Sequence, residues 1–405
     1  MKKHILILSN DNPFPVNTGG RKRTWHFIET LKQNYELSIL YFNSPQSTKA
    51  EREEESKHFQ KFWPIDRKQP QSLRKNSALQ RIKDLITATP WEKQYRYSIT
   101  YAKKLAEILS QYQFDFIFAR YIYQAQYLSQ LASKLNGVKV ILDFDDIDTR
   151  KAVCQMAVSG FNGVYDKFRQ QMNNHFLENY FKKILRTVDT CLVCSEDEKQ
   201  YLRQKKFTDK IRVIPNAIDF AQYQIQKPIT DEKVILFCGV LNYEPNKDGI
   251  LWFVRNIFPK ITQTVPDVKL LLVGRDPDNE IMSLANNQSI VIHRDVPSVI
   301  PYYDQARLFV VPIRFASGTR LKILEAAACR RPIVTTTLGA EGLNLQPQTH
   351  CLMEDTADHF AQACIEILNN KELAMRLAEK NYEFIKRNYE KSIVSKSINA
   401  VFSEL

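Results

Sequence analysis

The amino-acid sequence predicts an α/β protein made of two parallel-sheet, Rossmann-like domains. Three observations carry that expectation. Short apolar runs alternate with amphipathic segments of helical length almost from end to end, as repeated βα units require. The stretch 215–231 interrupts the alternation, with prolines at Pro215 and Pro228 and little apolar periodicity. A length of 405 residues is enough for two or three domains, each with a sizeable core.

In the first half, strands are expected near 4–9, 36–42, 115–119, 138–142, 189–194 and 211–214. The amphipathic patterns between them place helices at 20–33, 99–112, 122–135 and 166–186. The opening MKKHILILSN has an apolar stretch of only Ile5–Leu8 before Asn10-Asp11-Asn12, so it reads as a first strand and not a signal peptide. Cys191 and Cys194 lie inside an apolar run and read as buried strand residues, not as a metal or redox C-x-x-C unit. The second series places strands near 233–239, 268–273, 289–292, 307–311 and 332–336, with helices at 247–263, 279–286, 319–329 and 356–369. The tail 371–405 contains no Gly or Pro and reads as helix. The domains are therefore drawn at 1–216 and 232–385, joined by 217–231, with a C-terminal helix 386–405 packing back on the first domain.

Composition narrows the class. The chain is 44% apolar and 25% charged, which excludes wholesale disorder and collagen-like repeats. Its longest apolar runs fall far short of the ~20 residues that span a bilayer. Seven scattered cysteines fit free thiols in a reducing cytoplasm. The net charge of +12 is concentrated: between Lys57 and Lys104 twelve Lys/Arg face three acids, interleaved with Phe59, Phe62, Trp63 and Trp91. Three readings of 57–104 stand: a solvated helix pair, a surface for nucleic acid, or a surface for an acceptor or an anionic membrane, the last of which would make the protein peripheral at the inner membrane surface. Nucleic acid is not the expected partner.

Several catalytic signatures are missing, namely G-x-x-x-x-G-K-[ST], H-E-x-x-H, G-x-S-x-G and a G-x-G-x-x-G after the first strand. In place of the last stands Thr18-Gly19-Gly20-Arg21, a turn that lets a ligand approach free N–H groups at a helix start. The most informative block is Phe315-Ala316-Ser317-Gly318-Thr319-Arg320-Leu321-Lys322-Ile323-Leu324-Glu325-Ala326. Ser317 is expected to cap a helix whose first turn Gly318 leaves open. Lys322 and Glu325, three residues apart, share one face of it. A cation beside free backbone donors suits a diphosphate, and a carboxylate one turn on suits vicinal sugar hydroxyls. An acidic run, Asp143-Phe144-Asp145-Asp146-Ile147-Asp148, ends the strand at 142, on the carboxyl edge of a sheet where α/β ligands bind. It serves as an acceptor-hydroxyl contact or general base through Asp145 and Asp146, or it is a helix-capping loop.

GTRLKILEAAA followed by RPIVTTTLGAEGL (331–343) resembles the donor-site signature of GT-B glycosyltransferases of the retaining family 4 (glycosyl transferases group 1). Phe237-Cys238-Gly239-Val240-Leu241, Pro245-Asn246-Lys247-Asp248, Leu270–Arg275 and Ile214-Pro215-Asn216-Ala217-Ile218-Asp219 extend the resemblance. It implies two Rossmann-like domains facing a central cleft, with the C-terminal helix crossing back. It also implies transfer of a sugar from a nucleotide-diphosphate sugar to a glycan, lipid-linked or small-molecule acceptor, without a metal or other cofactor. Carried over by position, Glu325 would meet the donor ribose. Lys322 and Lys247 would neutralise the diphosphate. Gly239, Ser317, Gly318 and Thr319 would hold phosphate and sugar hydroxyls, with Gly19 and Gly20 approaching from the first domain. Arg275 and the turn at Asp295–Val296 would flank the base. The chain departs from the pattern at Ser317, where a Glu is usual, at Ala217 and near Asp295, where Gly is usual, and after Ala119, where Arg120 and Tyr121 replace a His. A nucleotide-sugar epimerase, a phosphorylase, or a non-catalytic scaffold docking a membrane or partner are the rival readings on the same plan.

Overall fold

The computed structural model describes residues 2–43, 54, 57–66, 97–145, 147, 149–150, 164–225 and 229–405. The chain divides into two compact units, one of Met1–Ile214 with Ser395–Leu405, the other of Pro215–Val394.

The first unit is built on a seven-stranded parallel sheet in the order β3-β2-β1-β4-β5-β6-β7. Its strands are β1 (His4–Ser9), β2 (Glu36–Asn43), β3 (Lys61–Asp66), β4 (Phe116–Arg120), β5 (Lys139–Asp143), β6 (Thr190–Val193) and β7 (Ile211–Val213). The central strands are buried along nearly their whole length, as strands covered on both faces must be. Its helices are α1 (Gly19–Leu31), α2 (Ile99–Gln111), α3 (Ile122–Ala125), α4 (Val164–Leu185) and α5 (Glu196–Gln204). Cys191 and Cys194 are buried, as the apolar run around them predicts.

Two expectations for this unit are corrected. Residues 61–66, inside the basic stretch, form strand β3 and not a helix. The strand tolerates Pro64 and Lys61 because it is outermost, where one set of backbone groups needs no partner. Residues 67–96 of that stretch lie outside the described residues. The helix expected at 122–135 breaks after α3 into two 3-10 turns, Leu128–Gln130 and Ala132–Lys134.

The second unit holds a six-stranded parallel sheet in the order β10-β9-β8-β11-β12-β13. These are β8 (Val234–Val240), β9 (Lys269–Arg275), β10 (Ile290–Arg294), β11 (Leu308–Val311), β12 (Ile333–Thr335) and β13 (Leu352–Met353). The helices are α6 (Glu244–Trp252), α7 (Phe258–Thr264), α8 (Asn279–Ser283), α9 (Ile300–Gln305), α10 (Leu321–Ala328), α11 (Ala357–Asn369), α12 (Lys371–Tyr389) and α13 (Lys391–Glu404). The long helix expected at 247–263 is two helices joined by a π turn, Phe253–Ile257, ahead of Pro259, whose missing N–H cannot continue the ladder. Residues of the expected connector join the second core, with Ile218 and Tyr223 buried in it.

The expected C-terminal helix is interrupted at Glu390, which is extended. The cause is tertiary: Ile218 donates to the Tyr389 carbonyl at 2.9 Å and accepts from Lys391 at 3.0 Å. Beyond Val394, helix α13 belongs to the first unit. Ser395 meets His26 and Thr30 at 2.9 and 3.0 Å, and Phe402 packs against Tyr35, Phe116 and Phe118. Among the described residues no helix is long and apolar enough to cross a membrane.

Candidate active site

In the second unit, the carboxyl ends of β8 and β9, the start of α6 and the start of α10 converge. Asn246, buried in the first turn of α6, donates from Nδ2 to the Val240 carbonyl at 2.7 Å. Its Oδ1 accepts from Lys322 Nζ at 2.8 Å. The Lys322 ammonium also lies 3.9 Å from the centre of the Phe237 ring. A Cβ at Gly239 would stand 3.0 Å from both Lys322 Nζ and Asn246 Nδ2, so any side chain at this turn would press on both groups. Burial pushes the Lys322 ammonium down to about 7, against upward pulls from the Cys238 thiol and the Glu325 carboxylate and a further downward push from Arg320.

Glu325, one turn further along α10, accepts from the Tyr223 hydroxyl at 2.9 Å. Burial drives that phenol well up, and the neighbouring carboxylate drives it further. Lys322 and Glu325 thus do share a helix face, as their spacing predicts. The expected cap does not form. The helix begins at Leu321 with Arg320 at the cap position and no side-chain cap. The Ser317 Oγ is buried without a hydrogen-bond partner among the described residues. The reason is Gly318, at φ +73°, which turns the chain left-handed and keeps 317–320 out of the helix.

The loop and its surroundings are fastened by residues to which the sequence motifs assign no role. The Arg320 guanidinium donates to the carbonyls of Ser317, at 2.7 Å, and Gly318. Asn216 donates to Thr319 Oγ1 at 2.7 Å. Arg314 forks onto Asp248 at 2.5 and 2.9 Å. Lys247 is not joined to Lys322. Its ammonium pairs with Asp278 at 2.5 Å and Glu280 at 2.7 Å, and these bonds raise its proton affinity. Arg275 closes β9 opposite Val240, and Val296 packs against the core. Asp295 has φ +54° and donates its N–H to the Gly274 carbonyl at 2.8 Å, so this position uses the left-handed backbone that glycine reaches most easily.

In the first unit, Gly19 and Gly20 open α1 after the Thr18 cap, whose hydroxyl accepts from the Arg21 N–H at 3.3 Å. A Cβ at Gly20 would stand 2.2 Å from the Tyr121 hydroxyl and 3.1 Å from Asp145 Oδ2, so these three groups meet at one point. Beneath them lies a buried charge network. Arg23 forks onto Asp143 at 2.6 and 2.8 Å. Arg120 pairs with the same carboxylate, donates to Thr24 at 2.9 Å, and reaches Asp145 Oδ2 at 3.1 Å and the Gly20 carbonyl at 3.2 Å. Asp145 and Tyr121 both take positive φ, +59° and +69°. Asp146 lies outside the described residues. His26 and His175 bond Ser395 and Asn179 respectively.

Comparisons with known proteins agree with this architecture. The chain matches "Glycosyltransferase Family 4" over residues 18–222 and "Glycosyl transferases group 1" over residues 232–370. It is 22% identical over 412 residues to a Klebsiella pneumoniae protein described as "Uncharacterized 44.6 kDa protein in cps region", covering 97% of this chain and 98% of that one. Among solved structures it resembles a sucrose-phosphate synthase from Thermosynechococcus elongatus, with TM-score 0.71, 17% identity, and coverage of 100% and 99% of the two chains. It also resembles Anabaena HepE in complex with UDP and glucose, with TM-score 0.68, 12% identity and complete coverage of both chains. Two all-parallel α/β sheets and family matches that together run through both units establish what the donor-type loop suggested: the chain belongs to glycosyltransferase family 4, on the GT-B fold.

Proposed function

We propose that the protein moves a sugar, with retention, from a nucleoside-diphosphate sugar held by the second unit to an acceptor hydroxyl met by the first. The observation that carries this reading is the Lys322 ammonium, fixed at 2.8 Å by Asn246 at the mouth of the Gly239 turn, on the same helix face as Glu325. As the bond from sugar to diphosphate breaks, negative charge grows on the leaving phosphate, and a pre-placed cation stabilises that charge more than it stabilises the bound donor. Lys322 takes this role, and Lys247 joins it by exchanging its carboxylate partners for phosphate. The backbone of 317–319 receives phosphate and sugar hydroxyls. Glu325 accepts from the ribose, with Arg275 and Val296 beside the base. With two lysines to offset the diphosphate, no metal is invoked.

Asp145, at the meeting point with Gly20 and Tyr121, is the residue we assign to the acceptor hydroxyl. The acceptor class we favour is a glycan or lipid-linked intermediate, with the basic 57–104 stretch facing an anionic membrane. The cps-region relative supports a place in polysaccharide assembly, and the UDP held by the Anabaena neighbour makes UDP-sugars the first donors to try.

A thermal-shift screen of UDP-, GDP-, ADP- and CDP-sugars tests the donor half, because a ligand bound only by the native state raises the melting point. NMR of the product anomer tests retention; an inverted linkage ends that part of the reading. Turnover of the donor without any acceptor would point instead to an epimerase.

A further inference from the structure

The seat of the Lys322 ammonium is made by a residue with no charge of its own. Asn246 is buried and held in the first turn of α6, its N–H donating to the Tyr243 carbonyl at 2.8 Å. The orientation of its amide is decided by chemistry: the Val240 carbonyl at 2.7 Å can only accept, so Nδ2 must face it and Oδ1 must face Lys322. Phe237 closes the seat from below and the missing Gly239 side chain leaves it open.

We propose that Asn246 is the positioning residue of the donor site, holding the Lys322 ammonium at the Gly239 turn and thereby setting the pH range over which a donor diphosphate binds. This inference rests on the donor reading above for the identity of the anion, but the seat itself is testable without any ligand.

The charged and titratable groups around the seat come from four elements. They are Cys238 on β8, Glu325 on the same helix as Lys322, Arg320 on the preceding loop, and Tyr303 on α9, which acts on the Cys238 thiol. Burial in this setting depresses Lys322 while Cys238 and Glu325 raise it; the Asn246 oxygen, which accepts its hydrogen bond, also favours the charged form. A diphosphate arriving at the turn favours the charged form further, so donor binding above neutral pH takes up a proton. A carboxylate seat would hold the cation charged at every pH but would also compete with the phosphate for it. A neutral amide orients the cation without neutralising it.

The test tracks Lys322 directly, by NMR of 13Cε-lysine-labelled protein, with Lys322→Arg supplying the assignment. It runs beside calorimetric binding of UDP, GDP, ADP and CDP from pH 6 to pH 9. We expect wild-type Lys322 to titrate near neutrality, and nucleoside-diphosphate affinity to fall by about tenfold per pH unit above that midpoint. Asn246→Leu lowers the midpoint by about one unit and brings the loss of affinity to correspondingly lower pH. Asn246→Asp, nearly isosteric, moves both upward while weakening binding at pH 6 through its own charge. If Asn246→Leu does not fold, the upward shift in Asn246→Asp carries the test alone. A Lys322 midpoint and a binding profile that stay at their wild-type pH in both variants overturn the proposal. A midpoint that moves as expected in a protein to which none of the four nucleoside diphosphates binds supports the seat and overturns the donor reading.

Discussion

The sites described in the two units partner their charge in opposite ways. In the first, Arg23 and Arg120 are matched by Asp143 and Asp145, and all but Asp145 are almost wholly out of water. In the second, Lys322 sits against a neutral amide and an aromatic face, with Glu325 acting on it at longer range. Asp143 and the two arginines satisfy one another and have little left to offer a ligand, so they fix geometry: the Gly20 turn, Tyr121 and the less buried Asp145. A cation held by neutral partners keeps its charge available, at a cost to the empty protein. One arrangement is a frame and the other a tool.

The largest effect that would break this contrast is on stability in the first unit. Arg120→Met leaves Asp143 and Asp145 in surroundings that no longer balance them. We expect a loss of about 3–5 kcal/mol in denaturant unfolding, with UDP binding retained once the protein is folded. A near-neutral result would mean the network is not a frame.

Next in size is Lys322→Met. Transfer should fall by about 10²–10³-fold, the usual cost of removing a preorganised partner of transition-state charge. The melting temperature should rise at the same time. The sign comes from linkage. A lysine depressed from 10.5 to about 7 in the folded state costs stability, in full, below about pH 7. That cost fades as pH climbs from 7 toward the unfolded value, so wild-type stability gains on alkalinisation and the methionine variant loses that part of the gain. A parallel pH dependence in both proteins would show that Lys322 is not depressed.

Smaller still is Gly239→Ala. The added methyl would stand 3.0 Å from Lys322 Nζ and Asn246 Nδ2, and the seat must open by a few tenths of an ångström. Nucleoside-diphosphate binding should weaken by about tenfold, with little change in fold. The smallest effect belongs to Asp278→Asn on the exposed Lys247 network, expected to change UDP affinity by less than about twofold.

Much of this is legible in the sequence, and the reasons differ from residue to residue. Lys322 and Glu325 stand out because local spacing alone places them on one face of a short helix. The strands stand out because buried parallel strands announce themselves as apolar runs. The Arg23–Arg120–Asp143–Asp145 network cannot be assembled in advance, since Arg23 lies 120 residues from Asp143 and further still from Asp145, and they meet only when β1, β4 and β5 lie side by side. Strand β3 escapes notice because an outermost strand can carry Lys61 and Pro64, which disguise it. The break at Glu390 has no Gly or Pro to mark it, for backbone pairing with Ile218 makes it. Ser317 looks like a cap and is not one, because Gly318 uncouples the loop from the helix. Asn246 lies inside a recognisable motif, but only the position of the Val240 carbonyl reveals what its amide does.

The return of α13 also has a consequence for how the protein is made. Ser395–Leu405 completes the first unit, its Phe402 filling a space among Tyr35, Phe116 and Phe118, while Pro215–Val394 is self-contained. During synthesis the second unit can therefore close its core while the first, although begun earlier, still lacks a piece of its own. The half of the enzyme that emerges first is the half that matures last.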